Sequence, residues 1–302
     1  LKAGYNDSFV LALIVNSSDI AFLIPPSIGM IIYGVVSGTS ISELFIAGIG
    51  PGLLILLMFS VYSYIYAVRN DVPTLPKSSW GERGQASLKA FFPLMTPVII
   101  LGGILAGVFT PTEAAAVAVF YALVISLFVL RTLRLSELPD VLGRAGITSA
   151  VVLLLVGAAM SFKTVVSLSQ APQMMADVIL TLTENPLLML FLINLLLFVV
   201  GMFLDAGPAI IILGPILAPV FTQLGVDSVH FAIIMCVNLT VGLATPPMGL
   251  VLFVASAVSG ERVTTIARAI LPFLAVEILV IFLITYFPAI SMTIPRLTGF
   301  AN

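Results

Sequence analysis

The chain has 302 residues, 60% of them hydrophobic and 9% charged, with a formal net charge of −2. Soluble domains carry roughly 25% charged residues, so a water-covered surface is excluded and lipid must solvate much of the molecule, while the near-neutral balance offers no basic face to nucleic acid. Cys236 is the single cysteine and His230 the single histidine, which excludes an internal disulfide and a thiolate cluster and speaks against a histidine zinc site or a Ser-His-Asp triad.

Uncharged runs cover 20–42, 44–68, 90–112, 145–162, 185–204, 206–226, 228–260 and 278–295. About 20 apolar residues span the hydrocarbon core, and backbone groups in lipid must pair internally, so these runs predict membrane helices. Runs such as 53–58 and 151–156 do not alternate as barrel strands would. In chain order, NSSDIAFLIPPS (16–27) leads into the first run, and Asp19 reads either as a functional ionisable group in apolar surroundings or as an end-of-helix residue near the headgroups. A polar loop follows 44–68 and carries Arg69, Lys77, Arg83 and Lys89, and a second carries Arg131, Arg134 and Arg144. Short basic loops favour the cytoplasm, and the apolar stretches 91–109 and 113–130 between them read as an out-and-back pair. Trp80 reads as an interfacial anchor, and Glu113, after Thr110-Pro111-Thr112, as a first-turn acid or cap. Lys163 closes the next apolar run and reads as a snorkelling lysine, with contact to substrate as the alternative.

Two runs then flank Asp205-Ala206-Gly207-Pro208. They read as a re-entrant hairpin (186–222), which would bring Asp205 and the helix N-terminus after Gly207 to an anionic substrate, or as two full spans joined by a polar turn. The next run contains TVGLATPPMG (240–249). Two consecutive prolines remove donors and push the preceding residue out of the α region. Carbonyls near Gly242 and Thr245 then lose their helical partners, and at membrane depth they must face protein, water or an ion. Oxygen ligands suit Na⁺; a plain proline kink is the competing reading.

The two double prolines belong to an internal repeat. At a constant offset of 221, Gly4 falls on Gly225, Pro25-Pro26 on Pro246-Pro247 and Pro51 on Pro272. The related segments, 3–68 and 224–288, suit a transporter of two homologous halves. Ala21 then matches Gly242, Ile24 matches Thr245 and Ser27 matches Met248. Two matched breaks predict two ion sites, the first offering mainly backbone carbonyls. The hairpin's counterpart in the first half would lie before Leu1, so the first repeat is expected to be incomplete.

The strings IPPSIGMIIYG, SISELFIAGIGPGLL, GVFTPTEAAAVAVFYAL, GMFLDAGPAIIILGPILAPV and VNLTVGLATPPMG resemble, in order and over nearly the whole chain, the large membrane subunit of tripartite ATP-independent periplasmic (TRAP) transporters. The resemblance implies an all-α polytopic membrane protein of the bacterial inner membrane. It further implies an inverted-repeat transporter with broken helices and a re-entrant hairpin, a single integral membrane domain over 1–302 that works as an elevator. Its expected function is sodium-driven import of an organic acid, a dicarboxylate or a sialic-acid-like carboxylate, captured by a periplasmic binding protein and assisted by a small membrane subunit. Carried over by position, one Na⁺ site would draw on Gly201, Gly242, Thr245 and Met248, and the other on Ala21, Ile24 and Pro26. The candidate substrate contacts are Asp205, Gly207, Asn238 and Ser27. Ser18-Asp19 departs from the family's small-polar pattern. A single-component Na⁺/dicarboxylate symporter is the alternative. A channel accounts poorly for two matched breaks, and an enzyme lacks catalytic groups. With no GxxxxGK[ST] loop, energy must come from an ion gradient or another chain.

Overall fold

The computed structural model describes residues 5–73, 76–170, 173, 174, 177 and 185–300, with the backbone alone at position 19; Gly4 and the side chain of Asp19 lie outside the described residues. Every regular element among them is helical. Seven helices are long and apolar enough to cross a membrane, and the protein is an all-α polytopic membrane protein. The chain divides into two compact units, Leu1–Thr74 with Ala158–Asn302, and Leu75–Gly157.

The smaller unit holds α4 (Trp80–Leu105) and α5 (Pro111–Val124), the latter prolonged by a π turn over Ile125–Val129. Here α4 starts before its apolar run. The Ser79 hydroxyl accepts from Glu82 N while the Glu82 carboxylate takes Ser79 N at 2.7 Å, a capping box that nucleates the helix in polar sequence. Trp80 lies beneath the Arg83 guanidinium at 5.0 Å. Thr110 and Glu113 make the same box at the head of α5. The Tyr121 hydroxyl donates to Phe92 O at 3.0 Å and joins the two helices. The long helix α6 (Leu138–Leu168) follows, and the division between the units falls inside it.

The larger unit carries two stretches of matching course. The first is α1 (Asp7–Ser17), a 3-10 turn over Ser18–Phe22, α2 (Ile28–Ser37) and α3 (Ile41–Arg69). After α7 (Pro186–Phe203) and α8 (Ala206–Gln223) comes the second: α9 (Ser228–Leu243), α10 (Leu250–Ser259) and α11 (Val263–Tyr286), closed by α12 (Ala289–Leu297). The Asn6 and Asp227 side chains cap α1 and α9. Pro25-Pro26 and Pro246-Pro247 are both cis. Both ten-residue helices, α2 and α10, end on a left-handed glycine, Gly38 and Gly260. The stretches differ at the end of their first helix. The first leaves α-helix at Ser17, where the Ser18 hydroxyl donates to Val15 O at 2.6 Å and competes with the helical ladder; α9 holds to Leu243.

Helix α9 is the axis of this unit. It is apolar on every side except at Ser228, His230, Asn238 and Thr240, as suits a helix enclosed by others, and residues 229–243 are all buried. Around it pack α7, α8, α11, α3, α2 and α12. On the outer side α1 lies along α11, where Phe9, Phe59, Tyr62 and Phe273 form an aromatic cluster with centroids 4.8–6.2 Å apart. Dispersion between such rings is available in lipid, where burial of apolar area gains little.

Candidate functional site

Both proline breaks leave backbone oxygens without backbone donors. Around Pro246-Pro247, Thr245 N donates to Gly242 O at 2.9 Å, and the carbonyls of Leu243, Ala244 and Thr245 accept from no backbone N–H among the described residues. The buried Thr245 hydroxyl donates to Val241 O at 2.7 Å, which keeps its lone pairs available. Around Pro25-Pro26, Leu23 N and Ile24 N both turn back to Ile20 O at 2.9 Å, and the carbonyls of Ala21, Leu23 and Ile24 are likewise without backbone donors. Prolines supply no N–H to replace what the break removes, so the sequence itself creates this surplus of acceptors.

Helix α7 meets the second break by backbone contact. A β-carbon on Gly242 would lie 2.6 Å from Gly201 Cα, and one on Gly201 would lie 2.7 Å from Leu239 O. Only two glycines permit this approach of α7 to α9. Just beyond it, Gly201, Leu204, Asp205, Leu243, Met248 and Phe253 border a cavity of about 90 Å³. That is room for an ion with a water or two, and less than the roughly 300–1,000 Å³ of a pocket for a drug-sized molecule. Asp205 is the N-cap residue of α8, yet its carboxylate accepts no capping bond. The first-turn N–H groups of α8 thus keep their positive end unneutralised by side-chain hydrogen bonding.

The structure therefore brings together Gly201, Gly242 and Met248 with Asp205, and places Thr245 in the turn between them. Gly207 belongs to another contact: it faces Ile32 on α2, whose methyl would lie 3.8 Å from a β-carbon there. Ser27 is the N-cap of α2, buried, donating to Phe22 O at 2.6 Å and accepting from Met30 N at 3.3 Å. Ala21, Ile24 and Pro26 form an exposed edge beside it. Asn238 lies away from the Asp205 cavity. It is 1% exposed, and its amide donates to Asn194 Oδ1 at 2.7 Å and to Ile234 O at 2.8 Å.

Sequence reading passed over several buried polar groups in the spans. Asn194 on α7 and Thr285 on α11 bond to each other at 3.0 and 3.1 Å. His230 Nε2 faces Thr285 O at 3.3 Å, and its Nδ1 faces Ser291 Oγ at 2.8 Å. Glu277 is wholly buried in α11. Each interrupts an otherwise apolar stretch, and a polar residue at membrane depth was the signal available.

Residues 1–290 match the family described as tripartite ATP-independent periplasmic transporter, DctM component. The chain is 50% identical over 292 residues to an ectoine/5-hydroxyectoine TRAP transporter large permease protein of Ruegeria pomeroyi, covering 97% of this chain and 68% of the relative. It is 43% identical over 295 residues to a sialic acid TRAP transporter large permease protein of Vibrio cholerae, covering 98% and 69%. To a C4-dicarboxylate TRAP transporter large permease protein of Pseudomonas aeruginosa it is 41% identical over 299 residues, covering 99% and 70%. These relatives are permeases and not enzymes, and membership of the family places the chain as a multi-pass protein of the membrane, in bacteria the inner one. Over nearly its full length, the chain belongs to the large permease family of TRAP transporters.

Proposed function

We propose that the chain carries the sodium-coupled import of a small carboxylate-bearing solute, delivered by a periplasmic binding protein to a permease completed by a small membrane subunit, separate or fused. The observation that carries this reading is the meeting of α7 with the second break, which gathers Gly201, Gly242, Thr245 and Met248 around acceptors that have lost their helical donors. A hard monovalent cation satisfies surplus carbonyl and hydroxyl oxygens in a site too small for an organic acid. The first break, with Ala21, Ile24 and Pro26, forms the second Na⁺ site. The two breaks sit at matched points of an inverted repeat, and the hairpin and the broken helices move together as the block of an elevator.

Three of the relatives handle ectoines, sialic acid and C4-dicarboxylates by their names. The chemistry common to these solutes is a carboxylate, which an uncapped helix N-terminus favours. Asp205 and the first-turn N–H groups of α8 form the candidate meeting point of a bound Na⁺ and a substrate carboxylate, which would neutralise one another there. Coupling follows from that pairing, because an ion biases transport only through a differential affinity for the loaded state.

The test is uptake into proteoliposomes holding the full-length permease and its small subunit under an inward sodium gradient, with and without the binding protein. Uptake that needs both is expected. Uptake with sodium alone would indicate a single-component symporter, and flux indifferent to sodium would overturn the ion sites. In the same assay Thr245→Ala should raise the sodium concentration for half-maximal uptake about tenfold, the loss of one good charged-group contact. Asp205→Asn should change the substrate concentration for half-maximal uptake while leaving membrane insertion intact; unchanged uptake kinetics would remove Asp205 from the site.

A further inference from the structure

The arm α7 is PLLMLFLINLLLFVVGMF, with Asn194 its only polar side chain. Against α9 such a surface gives dispersion in several registers, since one Leu replaces another after a slip of one turn. The ion site tolerates no slip. Val200, Met202 and every other neighbour of Gly201 on α7 has a side chain, and Gly242 has no space to receive one. Something in the interface must select the one register that sets Gly201 on Gly242.

Asn194 stands seven residues before Gly201, two turns along the same face, and Asn238 stands four before Gly242. Their bond at 2.7 Å joins α7 to α9 two turns and one turn short of the glycine contact. Asn194 is also held from α11, giving its amide to Thr285 Oγ1 at 3.0 Å and taking the Thr285 hydroxyl at 3.1 Å. The same Thr285 faces α9 through its carbonyl, which lies 3.3 Å from His230 Nε2 and accepts from it in the tautomer that carries the proton there. Two helices of the central frame thus grip one amide of the hairpin arm. Asn194, Asn238 and Thr285 are all buried, so displacement by a turn would strand their polar atoms in hydrocarbon. A single buried Asn fixes register between coiled-coil helices by the same means.

We propose that Asn194, Asn238 and Thr285 form a register clamp, positioning residues that hold the hairpin arm where Gly201 meets Gly242 and so set the affinity of the ion site. The inference rests on the sodium reading above for its transport readout and on geometry alone for its mechanical one.

Phe191 and Phe282 stack with centroids 5.8 Å apart and report the register of α7 on α11. In full-length protein with Cys236→Ser, the pair Phe191→Cys and Phe282→Cys is oxidised and the rate of cross-linking measured. Asn194→Leu and Asn238→Leu are each expected to slow cross-linking about fivefold and to raise the sodium concentration for half-maximal uptake about fivefold, with the maximal rate within about twofold. The double variant is expected to be no worse than Asn194→Leu, because the one bond between helices that Asn238→Leu removes is already lost with Asn194. Cross-linking at the parent rate in both single variants would overturn the clamp. So would altered cross-linking with an unchanged sodium response, in a protein whose response Thr245→Ala does shift. If parent uptake ignores sodium altogether, the sodium reading fails, and the cross-linking rates still decide the clamp.

Discussion

Replacing Gly242 by Ala is expected to cut uptake at sub-saturating sodium by about 10-fold to 100-fold, the equivalent of 1–3 kcal/mol of overpacking. The added methyl would sit 2.6 Å from both the Cα and the carbonyl carbon of Gly201 and 2.9 Å from Phe198 O. All three are backbone atoms, so no rotamer can move them aside, and α7 must retreat from α9 as a body. The Met248 and Asp205 cavity lies at that end of α7 and would open with it. Because α9 is buried along 229–243 by several other helices, the variant should still insert. Membrane fractionation beside the uptake assay separates the two effects. Gly201→Ala, whose methyl meets Leu239 O and Gly242 Cα, should behave alike. Normal sodium affinity in either variant would mean that the close approach is not part of the ion site.

The variant Gly50→Ala should lower the melting temperature of the purified protein by at least about 5 °C. Helix α3 runs beneath two other backbones. A β-carbon on Gly50 collides with Ile290 O at the start of α12, and one on Gly48 collides with Leu23 O in the first break. Both obstacles are carbonyls in segments already bent around prolines, Pro25-Pro26 on one side and Pro288 on the other, so neither yields by a side-chain rotation. Gly48→Ala should add a functional defect to the thermal one, since it displaces the edge that presents Ala21 and Ile24. Gly102 offers a control in the other unit: nothing lies within 4 Å of a β-carbon there, and Gly102→Ala should melt like the parent, as an exposed helical Gly→Ala is neutral or mildly stabilising. Equal melting temperatures for Gly50→Ala and Gly102→Ala would show that α3 and α12 are free to separate.

The sequence by itself determined the class and course of this protein. Nine per cent charge and serial apolar runs leave helices in lipid as the only way to satisfy the backbone. Local chemistry also fixed the breaks at Pro25-Pro26 and Pro246-Pro247 and the start of α5 at Thr110 and Glu113, because proline and capping residues act on their own turn. Offset by 221, the two double prolines pointed to the same positions at which the structure bends twice. What only the tertiary structure decided was company. Nothing in the run 185–204 says that Gly201 rests on Gly242, that Asn194 bonds to Asn238 44 positions away and Thr285 91 positions away, or that Asn238 is turned from Asp205. Such partners depend on which face of one apolar helix meets which face of another. In a sequence apolar on every face, the periodic signal that marks an inward face in water is absent. The lone polar residues and the glycines of close approach carry that information, and their meaning emerges only when the helices are brought together.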